Sequence, residues 1–183
     1  MGFFKEYLPQ YPKTMTLVLT GLMTALVCVA TVLFQIPIPA TGGYFNVGEA
    51  IIYIAAILFG PIVGGFAGGV GAALADAMSP YAIYAPGTLV IKFCEGFIIG
   101  FIVFAVRSKE WKRWKEYFVI ISAVIIGGLI MVVGYWTYEA YILGLGPIVA
   151  LGEVPLNLMQ VGFGSLVAIP SGLGIRKALE INR

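Results

Sequence analysis

Histidine is absent from all 183 residues, which removes the commonest general base, metal ligand and near-neutral pH switch together. Charge is scarce as well: Asp, Glu, Lys and Arg make up 11% of the chain, against roughly a quarter in soluble proteins. Cysteine is limited to Cys28 and Cys94. Each lies in an apolar segment without CxxC or metal-like spacing, so both read as packing residues and neither argues for a disulfide. No GxxxxGK[ST] phosphate loop occurs, which excludes nucleotide hydrolysis by that route. Nor is there a GxSxG elbow, an HExxH motif or a ligand cluster for a metal. No serine neighbours Lys92 in sequence to form a dyad. The expectation is a chain with no catalytic residues, no bound metal and no nucleic-acid partner.

What fills the chain instead is hydrocarbon. Hydrophobic residues make up 60% of it, with a mean hydropathy of +0.98. Runs of roughly 20 apolar residues, the length that crosses a bilayer as helix, recur along it. The fold class expected is an all-α integral membrane protein, with residues 1–183 forming a single membrane domain. The first run begins near Thr14; it is too long for a signal-peptide core and lacks a small-residue cleavage site.

Six transmembrane helices are expected, over about 14–36, 47–59, 62–78, 87–106, 117–143 and 153–178. Pro37 and Pro39 stop the first. Gly60-Pro61 separates the second from the third, and these two are short enough to form a shallow, broken pair instead of full crossings. Pro170 predicts a kink in the sixth. The charged run RSKEWKRWKE joins the fourth to the fifth. With six spans and both termini cytoplasmic, every Lys and Arg but Lys92 falls inside, and the three outer loops carry none. That satisfies the positive-inside rule, which five or seven spans would break. Trp111 and Trp114 then sit at the inner interface, and Tyr135, Trp136, Tyr138 and Tyr141 at the outer one.

In this topology the intramembrane polar residues share a depth. Glu49 opens the second helix, Asp76 ends the third, Glu139 is near the end of the fifth and Glu153 opens the sixth. Lys92 lies about 8 Å into the fourth, at 1.5 Å per residue, with Glu95 on the same face one turn deeper. Glu153, Asn157 and Gln160 follow i, i+4, i+7 and form one stripe. Tyr44, Asn46, Tyr81 and Tyr84 come from the loops above. A polar cavity open to the outer half is the economical reading. Two plainer readings compete with it: the acids at helix ends are simply wet at the interface, Glu49 and Glu153 being favoured by the helix dipole, and Lys92–Glu95 is a structural salt bridge. A second signal is the small-residue faces, Gly21-xxx-Ala25 on the first helix and Gly64 to Ala73 on the third, which let backbones approach closely.

Two stretches, FNVGEAIIYIAAILFGPIVGGFAGGVGAALAD and YAPGTLVIKFCEGFIIGFI, together with the elements at Leu58–Gly64 and Tyr84–Gly96, resemble the substrate-binding S components of energy-coupling factor (ECF) vitamin transporters. The likeness is to the branch that includes riboflavin, hydroxymethylpyrimidine and pyridoxine types. It implies an S-component-like bundle of six helices with an outward cavity capped by the loop between helices 1 and 2. It also implies partners: an ECF transmembrane coupling subunit, docked through small residues here matched by Gly21 and Ala25, and two cytoplasmic ATPases. ATP would be used by those partners, with no cofactor bound by this chain, in the plasma membrane of a prokaryote.

The function expected is high-affinity binding of a vitamin or precursor, a pyrimidine or pyridine type first and riboflavin second because it needs a larger cavity. The candidate substrate-binding residues are Tyr44, Asn46, Glu49, Tyr84, Lys92, Glu95, Glu139, Glu153, Asn157 and Gln160. A stand-alone proton-coupled secondary transporter is the alternative, although no inverted repeat is evident. A membrane scaffold is a third.

Overall fold

The computed structural model describes residues 12–39, 41–106 and 113–178. The N-terminal tail, most of the charged run with Trp111, and the last five residues lie outside the described residues. Helix α1 spans Lys13–Leu33. A two-stranded antiparallel hairpin follows, β1 (Ile36–Ile38) and β2 (Gly43–Phe45), with Ile36 opposite Phe45 and Ile38 opposite Gly43. Then come α2 (Gly48–Ala77), a 3₁₀ turn (Ala82–Tyr84), α3 (Ala85–Ala105) and α4 (Arg113–Thr137). A π-helical turn (Tyr138–Ile142), the short α5 (Pro147–Ala150) and α6 (Val154–Ala178) complete the order. Among the described residues, five helical stretches are long and apolar enough to cross a membrane.

The second stretch is not one straight rod. Gly60 has φ 86° and ψ −171°, far from helical values, a conformation that glycine alone adopts cheaply. Pro61 follows and has no N–H to continue the ladder. The chain folds back here. A Cβ on Gly64 would lie 2.8 Å from Ala56 Cα, and one on Gly68 would lie 3.0 Å from Ile52 Cγ2. In a straight helix those pairs would be about 12 and 24 Å apart. Segments 48–59 and 61–77 are therefore antiparallel arms, about 18 and 25 Å long. The six separate helices expected from the sequence become five apolar stretches, the second doubled back on itself.

Glycine also sets how α2 meets α3. A Cβ on Gly68 would be 2.7 Å from the Lys92 carbonyl oxygen, and one on Gly69 2.6 Å from that of Leu89. The two backbones touch because nothing larger than hydrogen stands between them. Tyr53, Ala55, Ala56, Ile57, Val63 and Ala67 of α2 are almost fully buried, and Val27, Ile99, Ala123 and Ala168 of the other helices complete that core. By contrast α1 exposes Leu17, Val18, Leu22, Val29 and Leu33 along its outer side. Cys94, expected to be packed, is exposed, while Cys28 is half-buried.

The molecule has two ends. One carries the β-hairpin, both termini of α2 and the start of α6; it is called the lid end here. The other carries the Gly60 turn. There Arg176, near the end of α6, donates to Glu116 Oε1 at 2.7 Å and to the Ile57 carbonyl. That carbonyl belongs to the last turn of the first arm, and four residues on stands Pro61, which has no N–H to give it. Arg176 fills the vacancy. α6 is continuous across Pro170.

Candidate functional site

Between the lid and the helices lies a cleft lined by Gly43, Tyr44, Asn46, Asp76, Tyr84, Thr88, Tyr135, Glu153, Asn157 and Gln160. Of the residues expected at the site from the sequence, Tyr44, Asn46, Tyr84, Glu153, Asn157 and Gln160 line it directly. Glu49, Lys92 and Glu95 form its floor, and Glu139 lies behind its wall. All ten fall in one region.

The floor is a network of buried side chains. Lys92 Nζ donates to Glu49 Oε2 and, at 3.0 Å, to Glu95 Oε2. Tyr53 donates its hydroxyl to Glu95 Oε1 at 3.0 Å, and Gln160 Nε2 donates to Glu49 Oε2 at 2.9 Å. Helices α2, α3 and α6 thus meet at Glu49 Oε2. Glu49 and Glu95 are 0% exposed and Lys92 2%. A charge this deep requires a partner, and here two carboxyls share one cation. Gly164 makes room for the arrangement, since a Cβ there would be 2.9 Å from Glu49 Cγ.

The lid is tied down by further polar contacts. The Asn46 N–H donates to Gln160 Oε1 at 2.9 Å, while Asn46 Oδ1 accepts from the Gly48 N–H at 2.9 Å and so starts α2. Thr41 donates its hydroxyl to Glu153, and Tyr44 donates to Asp76. Tyr84 donates to the Thr41 carbonyl at 3.1 Å. Burial, and then the charge of Asp76, hold the Tyr44 phenol well above its ordinary pKa, so it stays a donor. Gly43 leaves room for this closure; a Cβ there would be 2.6 Å from Glu153 Oε1, and the carboxyl would have to shift.

Two expectations change. Glu49 and Glu139 at 0% exposure and Glu153 at 3% are not acids wetted at an interface. Tyr135, read as an interface aromatic, lines the cleft instead; it shares a hydrogen bond of 3.0 Å with Thr88, and Lys92 Nζ is 5.7 Å from its ring centre. Tyr53, Thr88 and Tyr135 are absent from the sequence-based list. Each stands four residues from a charge on it: Tyr53 after Glu49, Thr88 before Lys92, Tyr135 before Glu139. One helical turn was the available signal.

In this conformation the cleft has space for about 20 Å³ of water-sized spheres, room for roughly one water, against about 300–1,000 Å³ for a small-molecule site. Around the cleft the buried polar atoms without a hydrogen-bond partner are the Asn157 amide nitrogen, both Glu139 oxygens, Glu49 Oε1 and Asp76 Oδ2. Glu139 has the Glu153 carboxyl and the Tyr84 hydroxyl as polar neighbours. Among the described residues no group of three or more acidic or thiol ligands could hold a metal.

A polar chamber capped by a hairpin inside a membrane bundle has the form of a small-ligand binding site. Comparison with known proteins supplies the family. Residues 12–177 match the model of the ECF-type riboflavin transporter S component, and the chain belongs to that family. It is a multi-pass membrane protein that serves as the substrate-binding subunit of an ECF importer for vitamins and works with a coupling subunit and ATPases. An uncharacterised protein of Pyrococcus woesei is 44% identical over 148 residues, which cover 81% of this chain and 91% of that one. Among solved structures, the S component of a bacterial ECF transporter superposes with a TM-score of 0.65 at 20% identity, covering 94% of this chain and all of that one. That likeness concerns the fold.

Proposed function

We propose that this chain captures riboflavin from outside a prokaryotic cell, in the cleft between the β-hairpin lid and the Glu49–Lys92–Glu95 floor. The observation that carries the reading is that floor together with the unpaired Asn157 amide. The pyrimidinedione edge of a flavin presents an N–H flanked by two carbonyl oxygens. A carboxylate accepts the first, while an ammonium and an amide donate to the others. The sequence reading put a small pyrimidine or pyridine vitamin first and riboflavin second. The family match moves riboflavin ahead of the smaller pyrimidine and pyridine vitamins.

Binding requires the chamber to enlarge. The lid is held by Thr41–Glu153, Tyr44–Asp76 and the Asn46–Gln160 pair, all of which a ligand's hydroxyls can replace one for one. Six crossings with both termini cytoplasmic fit the distribution of charge: Lys13, Lys115, Arg176 and Lys177 stand at the end opposite the lid, and segments 34–47, 78–84 and 138–153 contain no Lys or Arg. Gly21 and Ala25 are exposed on α1, with nothing within 4 Å of a Cβ on Gly21. They form the docking stripe for the coupling subunit, whose two ATPases use the ATP. No cofactor resides in this chain.

Titration of the purified protein with riboflavin, followed by quenching of flavin fluorescence, tests the reading. Saturable 1:1 binding that is lost in Lys92→Met and Asn157→Ala is expected. Tight binding of a pyridine or hydroxymethylpyrimidine vitamin with no response to riboflavin would restore the first order of preference.

A further inference from the structure

We propose that the mouth of the cleft selects a neutral, hydroxyl-bearing ligand over its phosphate monoester, with Asp76 and Glu153 as the specificity-determining side chains. This rests on the reading of the cleft as a vitamin site.

The charge balance is the first ground. Glu49, Asp76, Glu95, Glu139 and Glu153 are buried around the chamber, at 0 to 3% exposure, and Lys92 is their one buried cation among the described residues. Arg176, the other buried cation, is at the opposite end with Glu116. Lys92 is already shared by Glu49 and Glu95. No Lys or Arg occurs in the three segments that form the lid end. Whichever way a ligand enters, its tail meets carboxyl groups and no free positive charge.

The hydrogen-bond balance is the second ground, and it is independent of charge. A phosphate dianion accepts and never donates, so it needs donors around it. The hydroxyl donors at the mouth are spent. Thr41 gives its proton to Glu153, Tyr44 to Asp76 and Tyr84 to the Thr41 carbonyl. Tyr138 gives its proton to the Ile83 carbonyl at 2.8 Å. Thr88 and Tyr135 carry two protons between them: one makes their mutual hydrogen bond of 3.0 Å, and the Thr88 hydroxyl faces Asp76. What remains open is acceptor capacity: Asp76 Oδ2 and both Glu139 oxygens have no partner. The free donor is the neutral Asn157 amide. A polyol donates into those acceptors, whereas a phosphate faces oxygen with oxygen. Like charges brought together at a site weaken binding.

The test compares riboflavin, riboflavin 5′-phosphate and lumiflavin, which keeps the ring system but has neither sugar hydroxyls nor phosphate. Each is titrated into the wild type and into Asp76→Asn, Glu153→Gln and the double variant. Riboflavin should bind the wild type at least about a hundredfold more tightly than its phosphate. In the double variant that ratio should fall tenfold or more, by a gain for the phosphate. A cooperative thermal melt recorded without ligand shows that each variant remains folded, and lumiflavin reads ring binding apart from the tail. Equal affinity of the wild type for riboflavin and its phosphate overturns the proposal, as does a ratio that survives in the double variant. Failure of all three flavins to bind the wild type overturns the riboflavin reading and this proposal with it.

Discussion

Among the described residues two cations are buried, and they are held by different kinds of partner. Lys92 sits at 2% exposure between two carboxyl side chains on α2 and α3, with a third helix reaching in through Gln160. Arg176, at 6% exposure, serves one half-exposed carboxylate and one main-chain carbonyl. Side-chain partners can swing away and accept a ligand in exchange. A carbonyl left over at a broken helix end cannot leave, and no ligand takes its place. The same interaction, a buried positive charge with oxygen around it, thus makes an exchangeable binding floor at one end and a permanent brace at the other.

Replacing Lys92 with Met should separate the two roles most sharply. It leaves two carboxyls buried without a cation, and removing one partner of such a group costs about 3–5 kcal/mol. Ligand affinity should fall by thirtyfold or more, since truncating a buried charge partner costs roughly 2–5 kcal/mol of binding. Calorimetry in detergent and a binding titration read both, and Lys92→Arg, which keeps the charge, guards against simple misfolding. Wild-type affinity in the Met variant would show that the floor is structural only.

Gly68→Ala comes next. Its methyl would press on the Lys92 carbonyl, and overpacking of this kind costs about 1–3 kcal/mol. Because the displaced backbone is that of Lys92, binding should weaken together with stability; a loss of stability alone would place the glycine outside the site's support. Arg176→Ala should also cost about 1–3 kcal/mol, the penalty for a buried carbonyl left unpaired, yet ligand affinity should hold. A matching loss of affinity would erase the distinction between brace and floor. The smallest effect is expected of Glu116→Gln, about 0–1 kcal/mol in a thermal melt, because this partner is 34% exposed and solvent screens it.

The helical stretches and their breaks were legible from composition, spacing and Gly60-Pro61, because hydrocarbon length and proline act locally. So was the gathering of the charged residues at one depth, which needs only the helix rise and the alternation of spans. The partners were not legible. Arg176 meets Ile57 across 119 positions, and nothing local to either residue announces it. The lid reads as a plain loop after Pro37 and Pro39 stop the first helix; the structure makes it a short hairpin, with Pro37 in a two-stranded pair that leaves it exposed. Tyr135 was assigned to the membrane interface by its residue type, whereas its position one turn before Glu139 turns it toward the cleft.

The glycine contacts between α2 and α3 have a mechanical consequence. An interface made of main chain has no rotamers to adjust, so those two helices form a stiff jaw that carries Glu49, Lys92 and Glu95 as one piece. The side of the chamber formed by the lid, the π-helical turn and α6 is joined to that jaw by side-chain hydrogen bonds. Space for an occupant has to come from that softer side, which makes filling the chamber and loosening the lid a single movement.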